Sequence, residues 1–322
     1  MASLKEIKDR IASINSTRKI TSAMKMVASS KLHHAQVMIE NMLPYERRLE
    51  HILKTFLASE VDARNIYSEE RPVKKVAIIA FSSNSSLCGG FNANVIKALQ
   101  KAVEDYKELG QENIVVYPVG RKIAEKAVKL GLPVANDFNN LCDHPCVNGC
   151  VDIAKDVAGK FRNGEIDKVE LIYHHFKSAG SQVLKRKTYL PIDITEVDFN
   201  EEKVRDLKTQ IATKETQEYL ARHAREEAEK ANEDVVPLND NFIVEPDLYT
   251  VLSRLIPQYL KLKVYTALLD SNASEHAARM VAMQTATDNA DELLRVLNLQ
   301  YNKSRQQAIT NELLDLAGGS QN

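Results

Sequence analysis

The sequence predicts an α/β protein. Two long terminal helices form an antiparallel coiled coil, and a middle domain lies between them in the sequence. Two observations predict this fold class. Apolar residues repeat at heptad spacing near both ends of the chain. Between these ends, short apolar runs alternate with helical patterns, which is typical of a mostly parallel sheet covered by helices.

The first predicted element is one helix over residues 3–57, within an N-terminal segment 1–60. Its heptad seam comprises Leu4, Ile7, Ile11, Ile14, Arg18, Thr21, Lys25, Ala28, Leu32, Ala35, Ile39 and Met42. The seam is polar at Arg18, Thr21 and Lys25, and the apolar residues nearby are displaced from it. These displaced residues are Ile20, Met24 and Val27. We interpret the displacement as a local change of supercoil phase. At about 1.5 Å per residue the helix is roughly 80 Å long and needs a partner.

The middle of the chain, residues 73–195, alternates strands with helices. Short apolar and β-branched runs predict strands at 76–81, 114–119, 168–176 and 182–190. Helical patterns lie at 91–109, 121–130 and 148–161. The last two strands flank a short turn, so they are predicted to form an antiparallel hairpin beside the parallel strands.

A second long helix is predicted from residue 247 to about 316, within a C-terminal segment 245–318. Its heptad residues are Met280, Met283, Thr287, Ala290, Leu294, Leu297 and Tyr301. Gly318 and Gly319 follow and predict its end. Because the two terminal helices have complementary seams, they are predicted to pair with each other.

Composition argues against several classes of protein. The net charge is −1, so bulk charge does not indicate a nucleic-acid-binding protein. The first residues contain no apolar signal-peptide core, and no apolar run approaches the roughly 20 residues that span a bilayer. Four cysteines in a chain of 322 residues predict free thiols in a reducing compartment.

Basic residues dominate the start of the chain. Residues 1–35 carry seven Lys and Arg against two acidic residues. These charges either solvate a coiled-coil face or complement an acidic partner, and both interpretations stay open.

The turn after the first predicted strand, Ser86–Asn92, lies where phosphate-binding loops occur. It lacks the G-x-G-x-x-G spacing and the Gly-Lys-Ser/Thr ending of such loops. A tight strand–helix turn at Gly89 and Gly90 is the interpretation we favour.

A second chemical cluster comprises Cys142, His144, Cys146 and Cys150. Cysteine and histidine bind zinc, but this spacing is not the usual C-x-x-C and no second pair exists. Free, partly buried thiols are therefore favoured over a metal site. Since no nucleophile–base set has motif context, we predict no catalytic residue, cofactor or metal.

Several stretches resemble a known family. Residues 11–32, IASINSTRKITSAMKMVASSKL, closely resemble the start of the γ subunit of F-type ATP synthase. Similar matches lie at 274–280, 286–290, 301–306 and 308–312, and Leu87–Asn92 matches the family's central loop. The resemblance covers residues 1–195 and 240–322.

The resemblance implies a Rossmann-like middle domain and the role of a central rotor stalk. In this family γ transmits torque between the ion-driven c-ring and the α3β3 hexamer, and its lower part lies beside ε. Catalysis belongs to β, with α contributing, so the resemblance implies a non-catalytic subunit. It also implies a peripheral position on the cytoplasmic face of a bacterial inner membrane. The rival interpretations are a dinucleotide-dependent enzyme and an unrelated coiled-coil scaffold.

The same resemblance implies contact residues. Five residues match the family's contacts with the α/β ring: Arg279, Arg305, Gln306, Thr310 and Glu312. Four more are expected to face an acidic loop of β: Arg18, Lys19, Met24 and Lys25. Beyond Leu297 the C-terminal helix is expected to extend past its partner.

The charged segment 199–235 departs from the commonest bacterial pattern of the family. It contains no cysteine, which argues against the thiol switch of chloroplast relatives. A solvated helical insertion is favoured. The alternative is that it braces ε or damps reverse rotation. Deleting residues 200–234 tests this, and unchanged rates of ATP synthesis and hydrolysis would contradict damping.

Overall fold

The computed structural model describes residues 4–59, 66–192, 242 and 244–319, so the predicted insertion 199–235 lies outside the described residues. The described helices are α1 (Leu4–Ser59), α2 (Phe91–Asp105), α3 (Arg121–Lys129), α4 (Asn140–Asp143), α5 (Val147–Arg162) and α6 (Leu248–Gly319). The strands are β1 (Val76–Phe81), β2 (Ile114–Val119), β3 (Lys168–Ser178) and β4 (Ser181–Leu190). Two long terminal helices, with a mixed helix and sheet domain between them in the sequence, confirm the predicted fold class.

Two compact units make up the chain. We call Met1–Ser30 with Arg279–Asn322 the terminal unit, and Lys31–Ala278 the central unit. In the terminal unit α1 and α6 run antiparallel, because Arg18 contacts Asp291 and Thr21 contacts Thr287. Each predicted seam residue of α1 and α6 is buried or half-buried, as heptad packing requires.

The predicted change of supercoil phase is wrong. Ile20 and Val27 are 60% and 58% exposed, so these two displaced residues do not replace the seam, while Met24 is half-buried beside it. Thr21 is instead buried, and Arg18 and Lys25 are half-buried in the original heptad positions. The seam keeps its phase because Arg18 and Thr21 find partners on α6.

The pairing also continues further along α6 than predicted. In this antiparallel register, the residue 17 positions before Thr21 lies level with the residue 17 positions after Thr287. These two residues are Leu4 on α1 and Ser304 on α6. Ile7 is buried, and Tyr301 and Ser304 are half-buried. The part of α6 that extends past the first described residue of α1 therefore begins near residue 305, and not at Leu297.

The central unit contains a four-stranded sheet in the order β2–β1–β3–β4. β1 pairs in parallel with β2 and β3, while β3 and β4 pair antiparallel, as the hairpin pattern predicted. Asp167 accepts hydrogen bonds from the backbone amides of Lys74 and Lys75 at 2.8 and 3.0 Å, which ties the start of β1 to that of β3.

Helices cover both faces of this sheet. On one face, apolar residues of α2 and α3 pack on β1 and β2; examples are Val95, Leu99 and Ile123. On the other face, the Tyr117 hydroxyl of β2 donates to Asp156 of α5 at 2.6 Å. The Tyr189 hydroxyl of β4 donates to the Leu260 carbonyl of α6 at 2.9 Å. Within the central unit, α6 is thus part of the layer that covers the sheet.

Candidate partner interface on the terminal helices

Two polar contacts link the helices of the terminal unit. The Thr21 and Thr287 hydroxyl oxygens are 2.8 Å apart, and Arg18 Nη1 donates to Asp291 Oδ1 at 2.9 Å. The Arg18 and Asp291 side chains are about half exposed, so solvent screens this ion pair and its contribution to stability is small. Arg18, predicted to face a partner, contacts α6 of its own chain in this structure.

The other predicted contact residues differ in their exposure. Lys19, Arg305, Gln306 and Thr310 are exposed, so a partner has access to them. Three residues are half-buried: Met24, Lys25 and Arg279. The side chain of Glu312 lies outside what the structure describes. That these residues contact a partner stays a prediction.

Apolar residues on the outside of the helical pair were not predicted as contacts. Exposed large apolar residues occur on both helices: Ile20, Met26 and Val27 of α1, and Leu293, Val296 and Leu299 of α6. We call Ile20 and Val27 the outer face. On α1, Ile20 and Val27 are seven residues apart and so lie on one side of the helix. Exposed apolar side chains that share one side of a helix form a candidate surface for binding a partner. The sequence signal was present as apolar residues outside the heptad seam, which we had interpreted as a phase change.

Thr310, on the exposed part of α6, forms a hydrogen bond within its own helix. Its hydroxyl donates to the backbone carbonyl of Gln306 at 2.9 Å, one helical turn earlier. The hydroxyl oxygen keeps acceptor capacity for a partner.

The central turn Ser86–Asn92 is closed by its own hydrogen bonds. Asn92 accepts from the backbone amide of Ser83 at 3.0 Å and donates to the carbonyl of Ser85 at 3.2 Å. Leu87 and Gly89 have φ of 67° and 58°, a conformation that suits Gly89 and constrains Leu87. The local bonding supports the tight-turn interpretation of this segment.

The cysteines lie in different environments. Cys142 and Cys150 are buried and Cys146 is exposed. The Cys142 thiol donates to the Ser82 carbonyl at 3.1 Å. Burial, followed by the Glu275 and Asp143 carboxylates, raises the pKa of the Cys142 thiol well above its usual range. Among the described residues, no group of three or more His, Cys, Asp and Glu side chains is arranged to hold a metal ion.

The histidine pair of β3 points to opposite faces of the sheet. His174 stacks on Phe91 of the central turn, with ring centroids 4.4 Å apart. Burial lowers the pKa of His174 to about 4. His175 Nδ1 lies 2.8 Å from Asp270 Oδ2 of α6. Two family-like stretches, the central turn and the segment around Ser274, therefore meet at β3.

These observations define a class of protein: a coiled coil with an inserted α/β domain and an apolar outer face, as expected of a subunit in an assembly. The comparisons agree. The ATP synthase family model ATP-synt matches residues 3–322. The ATP synthase gamma chain of Phocaeicola vulgatus is 52% identical over 99% of both chains, and that of Parabacteroides distasonis is 44% identical over the same shares. This chain belongs to the ATP synthase gamma-chain family.

Solved structures agree with the fold. A chain of the Euglena gracilis mitochondrial ATP synthase matches 98% of this chain and 92% of its own length, with a TM-score of 0.57 and 17% identity. A central stalk and c-ring structure from Tetrahymena thermophila gives a TM-score of 0.52 at 23% identity, covering 83% of this chain and 99% of that one. No described helix of this chain combines the length and apolar character that crossing a membrane requires.

Proposed function

We propose that this chain is the central rotor stalk subunit of an F-type ATP synthase. It transmits torque between the membrane c-ring, driven by ion flow, and the catalytic α3β3 hexamer during ATP synthesis. The observation that carries the proposal is the 52% identity to an ATP synthase gamma chain over 99% of both chains. A relationship of this length includes the terminal helices, the central turn and the α/β domain together.

Within this proposal the subunit is non-catalytic and binds α, β, ε and the c-ring. It supports assembly of the hexamer and regulates catalysis through its rotation. Its place is peripheral, on the cytoplasmic face of the bacterial inner membrane. The outer face supports this role, because Ile20 and Val27 offer apolar side chains to a surrounding sleeve.

The terminal unit supplies the mechanical properties that a shaft needs. Heptad packing of α1 on α6 resists separation of the helices under load. Small residues such as Ala282 and Ala286 permit close helix approach. The proposed contacts with the α/β ring are Arg279, Arg305, Gln306, Thr310 and Glu312 of α6, with Arg18, Lys19, Met24 and Lys25 of α1.

A dinucleotide-dependent enzyme built on the sheet is the weaker alternative. The side chain of Asn92 and the amide of Ser83 bond to each other at the position where a phosphate-binding loop would need free donors.

Co-purification tests the proposed function. The affinity-tagged chain is co-expressed with the α and β subunits of the same organism, and the isolated material is analysed by native mass spectrometry. One copy of this chain per three α and three β is expected. A stable homodimer that binds neither α nor β would contradict the rotor function.

A further inference from the structure

One segment of α6 in the central unit is buried on every side. Residues 267–277 are all buried, although a helix on a protein surface normally exposes one side. Six of the eleven are polar or charged: Asp270, Ser271, Asn272, Ser274, Glu275 and His276. None of these six is more than 8% exposed. Burial of so many polar groups is unfavourable unless they form specific bonds.

The first specific bond joins Asp270 to β3. Asp270 Oδ2 lies 2.8 Å from His175 Nδ1, and both side chains are less than a fifth exposed. A hydrogen bond between a carboxylate and an imidazole is directional and short. It therefore fixes which side of α6 faces the sheet.

Two further bonds follow along α6. Asn272 Nδ2 donates to the carbonyl of Cys142 in α4 at 2.8 Å. The Ser274 hydroxyl donates to the carbonyl of His174 in β3 at 3.3 Å. Asp270, Asn272 and Ser274 thus reach two separate parts of the α/β domain, and we call these three residues the polar latch.

The domain side of the latch is itself held in place. His174 stacks on Phe91 at the start of α2, at a centroid distance of 4.4 Å. The Cys142 thiol donates to the Ser82 carbonyl at the end of β1. The groups that receive the latch are therefore anchored to the central sheet and to the central turn.

We propose that the polar latch sets the rotational position of α6 on the α/β domain and so passes torque from that domain into the helix. This inference rests on the proposed rotor function. Apolar contacts are non-directional, so they specify the rotational position of a helix less strictly than hydrogen bonds do. By contrast, shifting α6 by one residue turns it by about 100° and leaves buried polar groups without partners. Asp270, Asn272 and Ser274 are in this sense positioning residues.

The test is the double variant Asp270→Ala/Asn272→Ala in the complete membrane-bound complex. Alanine retains helix propensity at both positions. ATP-driven ion uptake is measured in inverted vesicles with a fluorescent pH dye and with radioactive sodium, alongside ATP hydrolysis. We expect ion uptake per ATP hydrolysed to fall at least fivefold. Hydrolysis by the detached α3β3γ complex, which carries no load at the α/β domain, is expected to stay within twofold of the wild type.

Two further variants sharpen the test. Asp270→Asn retains an oxygen that accepts from His175 and is expected to restore most of the ion uptake per ATP. Glu40→Ala/Asn41→Ala replaces an exposed carboxylate and an exposed side-chain amide on α1 and is expected to match the wild type.

Three results would decide against the latch. Unchanged ion uptake per ATP in the Asp270→Ala/Asn272→Ala variant would show that torque passes elsewhere. A loss of detached hydrolysis together with a lower melting temperature would show that these bonds only hold the fold. If ion uptake per ATP falls as far in the Asp270→Asn variant as in the double variant, the loss does not depend on the bond between Asp270 and His175. If the wild-type chain fails to bind α and β, the proposed function itself fails.

Discussion

The hydroxyl oxygens of Thr21 on α1 and Thr287 on α6 lie 2.8 Å apart across the helical pair of the terminal unit. The Thr21 hydroxyl oxygen also lies 3.0 Å from the Arg18 carbonyl oxygen of α1. The Thr287 hydroxyl oxygen lies 2.8 Å from the Met283 carbonyl oxygen of α6. A hydroxyl has one proton, so one threonine donates across the pair while the other donates within its helix. A polar contact of this kind in a coiled-coil seam specifies register.

The threonine contact predicts non-additive stability changes. Thr21→Val and Thr287→Val each remove one side of the cross-helix hydrogen bond, so each is expected to lower the free energy of unfolding by about 1 kcal/mol. The double variant places two methyl groups together and should lose less than the sum, with a coupling energy of about 1 kcal/mol. Urea unfolding followed by circular dichroism measures all three.

Thr17→Val is the control for this cycle. The exposed Thr17 hydroxyl donates to the Ser13 carbonyl in its own helix at 3.1 Å. Thr17→Val combined with Thr287→Val should therefore be additive. Additive changes in the Thr21 and Thr287 cycle as well would contradict a direct bond between those two hydroxyls.

The heptad seam was predictable from sequence because apolar spacing follows directly from helix geometry. Its polar middle was misinterpreted, since the partner of Thr21 is 266 residues away along the chain. Spacing along one helix does not identify a hydrogen-bond partner on another. The structure supplies that partner and explains why the seam keeps its phase.

The sheet was also predictable, as apolar runs gave its four strands. The burial of Asp270, Asn272 and Ser274 was not, because polar residues on a helix ordinarily indicate a solvated face. They are buried since α6 covers one face of the sheet within the central unit. Only the packing of α6 on β3 and on α4 shows that their partners are His174, His175 and Cys142.

A buried carboxylate on β3 bonds to β4 and to the residue that follows α2. Glu170 is 4% exposed and accepts from the Tyr106 hydroxyl at 2.5 Å and from Arg186 Nε at 2.6 Å. Arg186 also pairs with Asp105. Glu170→Gln removes a negative charge beside the partly buried guanidinium of Arg186. We therefore expect the free energy of unfolding to fall by about 3 kcal/mol. Urea unfolding measures this loss.

Glu292→Gln is the matched control for Glu170→Gln. Glu292 pairs with Arg295 at 2.8 Å on the exposed surface of α6. Solvent screens that pair, so the substitution should leave the urea midpoint unchanged. Equal effects of the two substitutions would show that burial of Glu170 contributes nothing.

His174 predicts a specific loss of stability in acid. Burial lowers its pKa from the ordinary 6.5 to about 4. The unfolded chain therefore binds a proton below pH 6.5, whereas the folded chain does so only near pH 4. Stability should fall across this window as pH falls, by at most about 3 kcal/mol. His174→Phe removes the titrating group and keeps an aromatic ring beside Phe91, so it should flatten the dependence of the urea midpoint on pH.

The same substitution at an exposed histidine controls for this effect. His33→Phe on α1 should leave the pH dependence of the wild type in place. If His174→Phe retains the full wild-type slope between pH 6.5 and 4, the titration of His174 does not account for the loss.

Arg305 and Thr310 predict a functional change without a structural one. Both are exposed on α6, so Arg305→Ala and Thr310→Ala remove little packing. We expect a lower rate of ATP hydrolysis or weaker coupling in the assembled complex, measured against an unchanged melting temperature of the isolated chain. A large drop in melting temperature would show instead that these residues are structural.

The outer face makes the most direct prediction about partner binding. Ile20 is 60% exposed, so Ile20→Asp should leave the melting temperature unchanged. In the α3β3γ complex, a carboxylate placed against an apolar sleeve is desolvated, and ATP hydrolysis is expected to fall several-fold. Val128→Asp is the matched control, since Val128 is 66% exposed on α3 of the central unit, outside the outer face. Equal hydrolysis by the Ile20→Asp and Val128→Asp complexes would show that Ile20 does not face the ring.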